Sequence, residues 1–226
     1  MPMSQLSSRA RYAEEEVGVA ANPSPLGLIA LAVTTVLVGA TFARFLIPVL
    51  YAGMGIVIGP ALFLGGVIQL LAGMWEFRRN NTLAATLFSA YGGFLLALGI
   101  LFMPTLGLTA LFRGDIRAFN HALGLLFICW AISCAVLLVG ALRTNMLLVA
   151  VLACLCLSYL FLAIGEFANG NIPLLAVGGW LGILCALVAW YAALTGLLQS
   201  THSTIHLPTG EAERPSARGY GGEPAV

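Results

Sequence analysis

The chain has 226 residues, of which 60% are hydrophobic and only 8% charged, with a formal net charge of +1. Soluble domains carry about a quarter charged residues, so this composition excludes a water-wetted globular surface, and the near-neutral balance excludes a nucleic-acid footprint. The mean hydropathy of +0.99 is that of a protein facing lipid over most of its exterior.

Residues 1–21 are polar and mixed in charge, with Glu14-Glu15-Glu16, and are predicted to be loosely ordered. No cleavable signal is evident, because the first apolar run begins only near Leu26 and leads into further runs. Apolar runs follow at 26–43, 53–75, 82–103, 119–141, 145–166 and 172–198. Each is close to the roughly 20 residues that cross about 30 Å of hydrocarbon as a helix. Lipid offers no hydrogen-bond partners, so the runs are predicted as six transmembrane helices of an all-α membrane bundle. The bundle domain is expected over 22–199, followed by a polar tail over 200–226 that reads as disordered and cytoplasmic.

The mouth of the first span reads Asn22-Pro23-Ser24-Pro25-Leu26-Gly27-Leu28. Each proline keeps its predecessor out of the helical region and then fixes a helical start, while Asn22 suits a cap or an Asx turn. Unpaired N–H groups and the positive end of a helix dipole would then lie beside the membrane, an arrangement that favours an anion such as a carboxylate. An ordinary capped membrane helix is the alternative reading of the same residues. Deeper in the spans, Thr34, Thr35 and Gln69 are candidates either for donors along a passage or for helix-to-helix hydrogen bonds. Tyr91 offers a bulky ring and one hydroxyl donor.

Small residues recur: Gly55 and Gly59, Gly178 and Gly182, and the doublets Gly65-Gly66 and Gly92-Gly93. They point to close helix packing or to a widened lumen. Pro60 is expected to kink the second span or mark its start. No Asp, Lys or Arg sits near a predicted membrane centre. Glu76 is expected to pair at the surface with Arg78 and Arg79. Glu166 has no nearby Arg in sequence and is the candidate for proton handling. The five cysteines lie in apolar runs without metal-ligand spacing and are expected to pack as small hydrophobes. Seven Arg fall on the side shared by the termini and three on the other, which predicts both termini in the cytoplasm.

Several segments also resemble the acetate uptake transporter family, to which the bacterial succinate–acetate permeases belong. Asn22 to Leu28 is similar to its NPAPLGL signature, and Gly65 to Arg79 is similar to its second span. Asn81-Thr82, Ser89-Ala90-Tyr91-Gly92-Gly93-Phe94, Met103-Pro104, Leu106-Gly107-Leu108-Thr109 and Gly179-Trp180-Leu181-Gly182 extend the resemblance over roughly residues 20–200. It implies a six-helix protomer within a homo-hexamer, embedded in a bacterial inner (plasma) membrane, each protomer passing acetate. It also implies a narrow hydrophobic gate of Phe, Tyr and Leu, whose positions fall on Leu31, Tyr91 and Leu155. Leu31 departs from the family's Phe, and Ser24 departs from the motif's Ala.

The expectation is therefore a permease or channel for small monocarboxylates, acetate first and succinate a further candidate. Asn22, Pro23, Ser24, Pro25, Leu26, Gly27, Thr34, Gln69 and Tyr91 are the candidate substrate contacts, with Leu31, Tyr91 and Leu155 as the gate. Acetate is ionised near neutral pH, since such carboxyls titrate near about 4, so the passage must supply donors in place of water. A channel for ammonia or water, or a non-transporting membrane scaffold, is the alternative. No nucleophile elbow, phosphate loop or paired metal ligand is present in the sequence, so neither an enzyme, a metal nor a cofactor is expected.

Overall fold

The computed structural model describes residues 21–46, 50–106, 111–112, 114–201, 203–205 and 207–208. The expectation for the N-terminal segment lies outside the described residues apart from Ala21, and that for the tail largely so. Where the tail is described it folds back on the bundle, the Tyr191 hydroxyl donating to the Pro208 carbonyl at 3.0 Å.

The helices are α1 (Ser24–Phe42), α2 (Leu50–Leu62), α3 (Gln69–Arg78), α4 (Thr82–Leu101), α5 (Ile116–Ala141), α6 (Met146–Phe167) and α7 (Ile172–Ser200). A π turn over Phe63–Ile68 joins α2 to α3 without a break, so the two form one span. Among the described residues six helices are thus long and apolar enough to cross a membrane, and their bounds follow the predicted runs to within a few residues. Pro60 lies inside α2, three residues ahead of the π turn. The widened turn itself has no counterpart in the sequence reading, because nothing in a local pattern distinguishes i→i+5 from i→i+4 bonding.

Short polar caps set most of the helix starts. The side chains of Asn81, Asp115, Asn145 and Asn171 accept from the N–H of Ala84, Ala118, Leu147 and Leu174 at 3.4, 3.0, 2.7 and 3.2 Å. Each such cap contributes about 1 kcal/mol by satisfying a donor that the helix itself leaves free. Between α6 and α7 the chain reverses through Asn169 and Gly170, both at positive φ (57° and 75°). Asn and Gly adopt that left-handed conformation at the least cost.

The spans close into a ring in chain order: α1 beside α2 and α3, these beside α4, then α5, α6 and α7, with α7 returning to α1. The α1–α7 crossing is the tightest. A Cβ placed on Gly179 would lie 2.3 Å from the Ala43 nitrogen and 2.5 Å from the Gly39 carbonyl oxygen, so the two backbones touch. Gly65, Gly66, Gly92 and Gly178 also admit close neighbours, which bears out the packing reading for those positions. Gly55, Gly59 and Gly93 instead meet open space. On the outside, Leu125, Ile132, Val136 and Val139 form an exposed apolar stripe along α5, as a lipid-facing helix requires. The five cysteines are unpaired, and two of them, Cys156 and Cys185, donate weakly to the carbonyls of Ala131 and Val151 on neighbouring helices.

Candidate functional site

Where α1 begins and α7 ends, a cavity of about 280 Å³ opens between Asn22, Ser24, Asn81, Asn145, Thr195 and Gln199. Its residues come from the start of the first span, the second–third and fourth–fifth connections and the end of the last span. A six-span topology brings these four places to one side, so this is one mouth of the bundle. Leu28, Leu87, Phe88 and Leu148 form its apolar inner wall.

Polar contacts at the mouth differ from the expectation. Asn22 Oδ1 accepts from the Ser24 N–H at 3.1 Å and also from the Arg79 guanidinium. The Ser24 hydroxyl donates to Glu76 Oε1, and the Asn81 amide donates to Glu76 Oε2 at 2.9 Å. Glu76 is therefore not a surface partner of Arg78 and Arg79. It is fully buried and ties α3 to both α1 and the cap of α4. Arg78 lies instead over the Trp75 ring, 5.2 Å from its centroid. The lip is thus not a set of free amides. Asn22 occupies one first-turn donor, Pro25 has none, and a carboxylate of the chain itself stands beside the helix start.

The seven-residue motif divides by direction. Asn22 and Ser24 line the cavity. Pro23 is buried, Pro25 packs where a Cβ on Gly196 would lie 3.0 Å away, and Gly27 lies under the Phe88 ring. Leu26 is 49% exposed and points away from the cavity, so the motif contributes shape through its prolines and glycine and polarity through two side chains.

One layer further in, Leu31, Tyr91 and Leu155 are each 0% exposed and share one buried cluster, a closed apolar layer. The Tyr91 hydroxyl lies 2.9 Å from Thr35 Oγ1 and 2.9 Å from the Tyr159 hydroxyl. These three hydroxyls come from α1, α4 and α6 and cross the middle of the ring. Around them are aromatic walls: Phe94 meets Tyr159 edge-on at 5.3 Å and stacks on Trp130 at 4.4 Å. Thr34 is not among the donors of this layer. Its hydroxyl bonds back to the Ala30 carbonyl at 2.9 Å and its side chain packs beside Gly65. Thr35, one residue on, takes the inward place. Tyr159 was not singled out from the sequence, although it lies four residues after Leu155 and so shares its helix face.

Gln69 follows the π turn and is 0% exposed, and neither its amide oxygen nor its nitrogen has a partner. Along the same span, Gly65 lies on Thr34 and Glu76 bonds Ser24, so Gln69 sits between the closed layer and the mouth. Glu166, near the far end of α6, is 2% exposed, and its carboxylate has no hydrogen-bond or ion-pair partner among the described residues.

Comparison with known proteins agrees with this architecture. The solved structure of the bacterial acetate channel SatP superposes with a TM-score of 0.70 at 33% identity, covering 84% of this chain and 99% of that one. The succinate-acetate/proton symporter SatP of Escherichia coli is 34% identical over 193 residues, which is 85% of this chain and 96% of that protein. Ammonia transport outward protein 2 of Saccharomyces cerevisiae is 33% identical over 188 residues, 82% of this chain, and the chain spans 64% of that relative's length. Residues 5–213 match the GPR1/FUN34/yaaH family, and the chain, with its six apolar spans, belongs to that family of membrane proteins.

Proposed function

We propose that the chain is a membrane permease or channel for small monocarboxylates, with acetate the leading substrate and succinate a further one. The observation that carries this reading is the fully buried, unpartnered amide of Gln69 between a polar mouth and a closed apolar layer. Burying an amide without partners costs about 1–3 kcal/mol per group, a cost relieved when water or a polar solute passes beside it. The names of the bacterial relatives, an acetate channel and a succinate-acetate/proton symporter, supply the substrate class. In this reading Asn22 and Ser24 meet the carboxylate at the mouth and Gln69 hands it on, while Leu31, Tyr91 and Leu155 close the passage. Glu166, buried without a partner, is the carboxyl assigned to proton handling. The reading places both termini in the cytoplasm of a bacterium and six copies in a ring in its inner membrane, as the family resemblance implies, with transport rather than catalysis as the activity.

The test is labelled acetate flux into vesicles holding the purified protein. Saturable uptake above protein-free vesicles is expected, and uptake equal to those vesicles removes the proposal. A second reading, passage of ammonia, is favoured by the name of the yeast relative. Alkalinisation of the vesicle lumen by an ammonium gradient, undiminished by acetate, would favour it.

A further inference from the structure

Three hydroxyls cross the closed layer, and their protons do not balance. Thr35, Tyr91 and Tyr159 bring three O–H donors, each at most 4% exposed, yet the two contacts joining them use only two. Whichever way the chain of bonds runs, one buried hydroxyl proton is left without an acceptor. The walls do not supply one. Around the trio stand Leu31 and Leu155 and the rings of Phe94, Phe127 and Trp130, and the Trp130 indole N–H is itself buried and unpartnered. The layer therefore holds two buried protons, one hydroxyl O–H and the Trp130 indole N–H, with no acceptor in place. Neutral apolar walls with surplus O–H groups match a ligand that only accepts, and an ionised carboxylate is such a ligand.

We propose that Tyr159 is a substrate-contacting residue: the Tyr91 and Tyr159 hydroxyls part to take one carboxylate between them, and Thr35 keeps its hold on Tyr91. This rests on the transport reading and deepens it by placing a binding site at the constriction itself, with its methyl end against Leu31 and Leu155. The pair does two jobs with the same atoms. With no substrate the hydroxyls bond each other and close the layer. With a carboxylate present each donates to one of its oxygens, so the anion trades water for two charge-assisted bonds at the narrowest point.

The test is the concentration dependence of acetate flux in vesicles holding the full chain, wild type against Tyr159→Phe, with melting temperature measured on both. Tyr159→Phe keeps the ring and its contacts with Phe94 and Phe127 and removes only the hydroxyl. Loss of one charge-assisted donor is expected to raise the half-saturating acetate concentration about tenfold or more at an unchanged melting temperature. An unchanged half-saturation with a higher maximal flux would mean that Tyr159 is only a latch, and it overturns the proposal. Should Tyr159→Phe fail to fold, Thr35→Val carries the test by freeing Tyr91 from α1: a severalfold rise in half-saturation supports the site and an unchanged value overturns it. Wild-type vesicles without acetate flux would sink the transport reading itself, an outcome distinct from any of these.

Discussion

Replacing Gly179 by alanine tests whether α1 and α7 meet backbone to backbone. The added methyl would fall 2.3 Å from the Ala43 nitrogen and 2.5 Å from the Gly39 oxygen, with the Ala43 Cα at 2.9 Å. None of these is the end of a flexible side chain, so the helices themselves must separate by about 1 Å to reach ordinary contact, and a gap of that size forfeits up to half of each affected dispersion contact. Overpacking of this kind costs about 1–3 kcal/mol, while the better helix propensity of alanine returns roughly 0.5–1 kcal/mol. A net loss of about 1–2 kcal/mol corresponds to a melting temperature lower by roughly 2–8 °C for a chain of this size. The assay is thermal unfolding of the detergent-purified protein, followed by fluorescence. Gly55→Ala is the control, because a methyl there meets open space, and its melting temperature should hold or rise. If Gly179→Ala melts with the wild type, the backbone contact does not exist as described.

Three further changes probe the passage. Gln69→Leu removes two unpartnered buried groups, each worth about 1–3 kcal/mol, so melting temperature should rise while acetate flux falls; a fall in both contradicts the role given to the amide. Leu155→Ala opens space in the closed layer at a cost of about 2–5 kcal/mol and should raise lactate or succinate flux relative to acetate in vesicles; an unchanged ratio removes Leu155 from the gate. Asn81→Ala deletes both the α4 cap and a partner of buried Glu76, so stability should fall by about 2–4 kcal/mol in thermal unfolding, more than the same change at Asn171, which has only a capping role.

Much of the fold was legible because lipid leaves no option but helix for apolar runs of about 20 residues. The caps at Asn81, Asn145 and Asn171, directly before their helices, then set the starts. The closed layer was legible in part. Leu31, Tyr91 and Leu155 fall within one buried cluster, but such joining is tertiary, and only the resemblance singles out these three distant positions as a set. What the residues did not disclose is partnership. Glu76 stands two and three places before two arginines, which suggests an ion pair, yet an α-helix turns 100° per residue and sends it inward to Ser24 while Arg78 lies over Trp75. Thr34 and Thr35 are equivalent in composition, and the same rotation separates a hydroxyl that bonds its own helix from one that reaches Tyr91. Tyr159 shares a face with Leu155 and could have been found by that spacing.

The way α1 is fastened decides which part of the ring can yield. Glycine contacts interlock it with α7, and Ser24 fixes its start to Glu76 of α3, so Leu31 and Thr35 are held on a stator. On the opposite flank α4 and α5 approach at few points and meet through the faces of Phe94 and Trp130, nearly parallel at 4°. Flat rings can slide past each other where interlocked backbones cannot, so opening should be a shear along the α4–α5 seam that parts Tyr159 from Tyr91 while Tyr91 stays with Thr35. A cysteine tether across that seam should then arrest flux, whereas one joining α1 to α7 should leave it running.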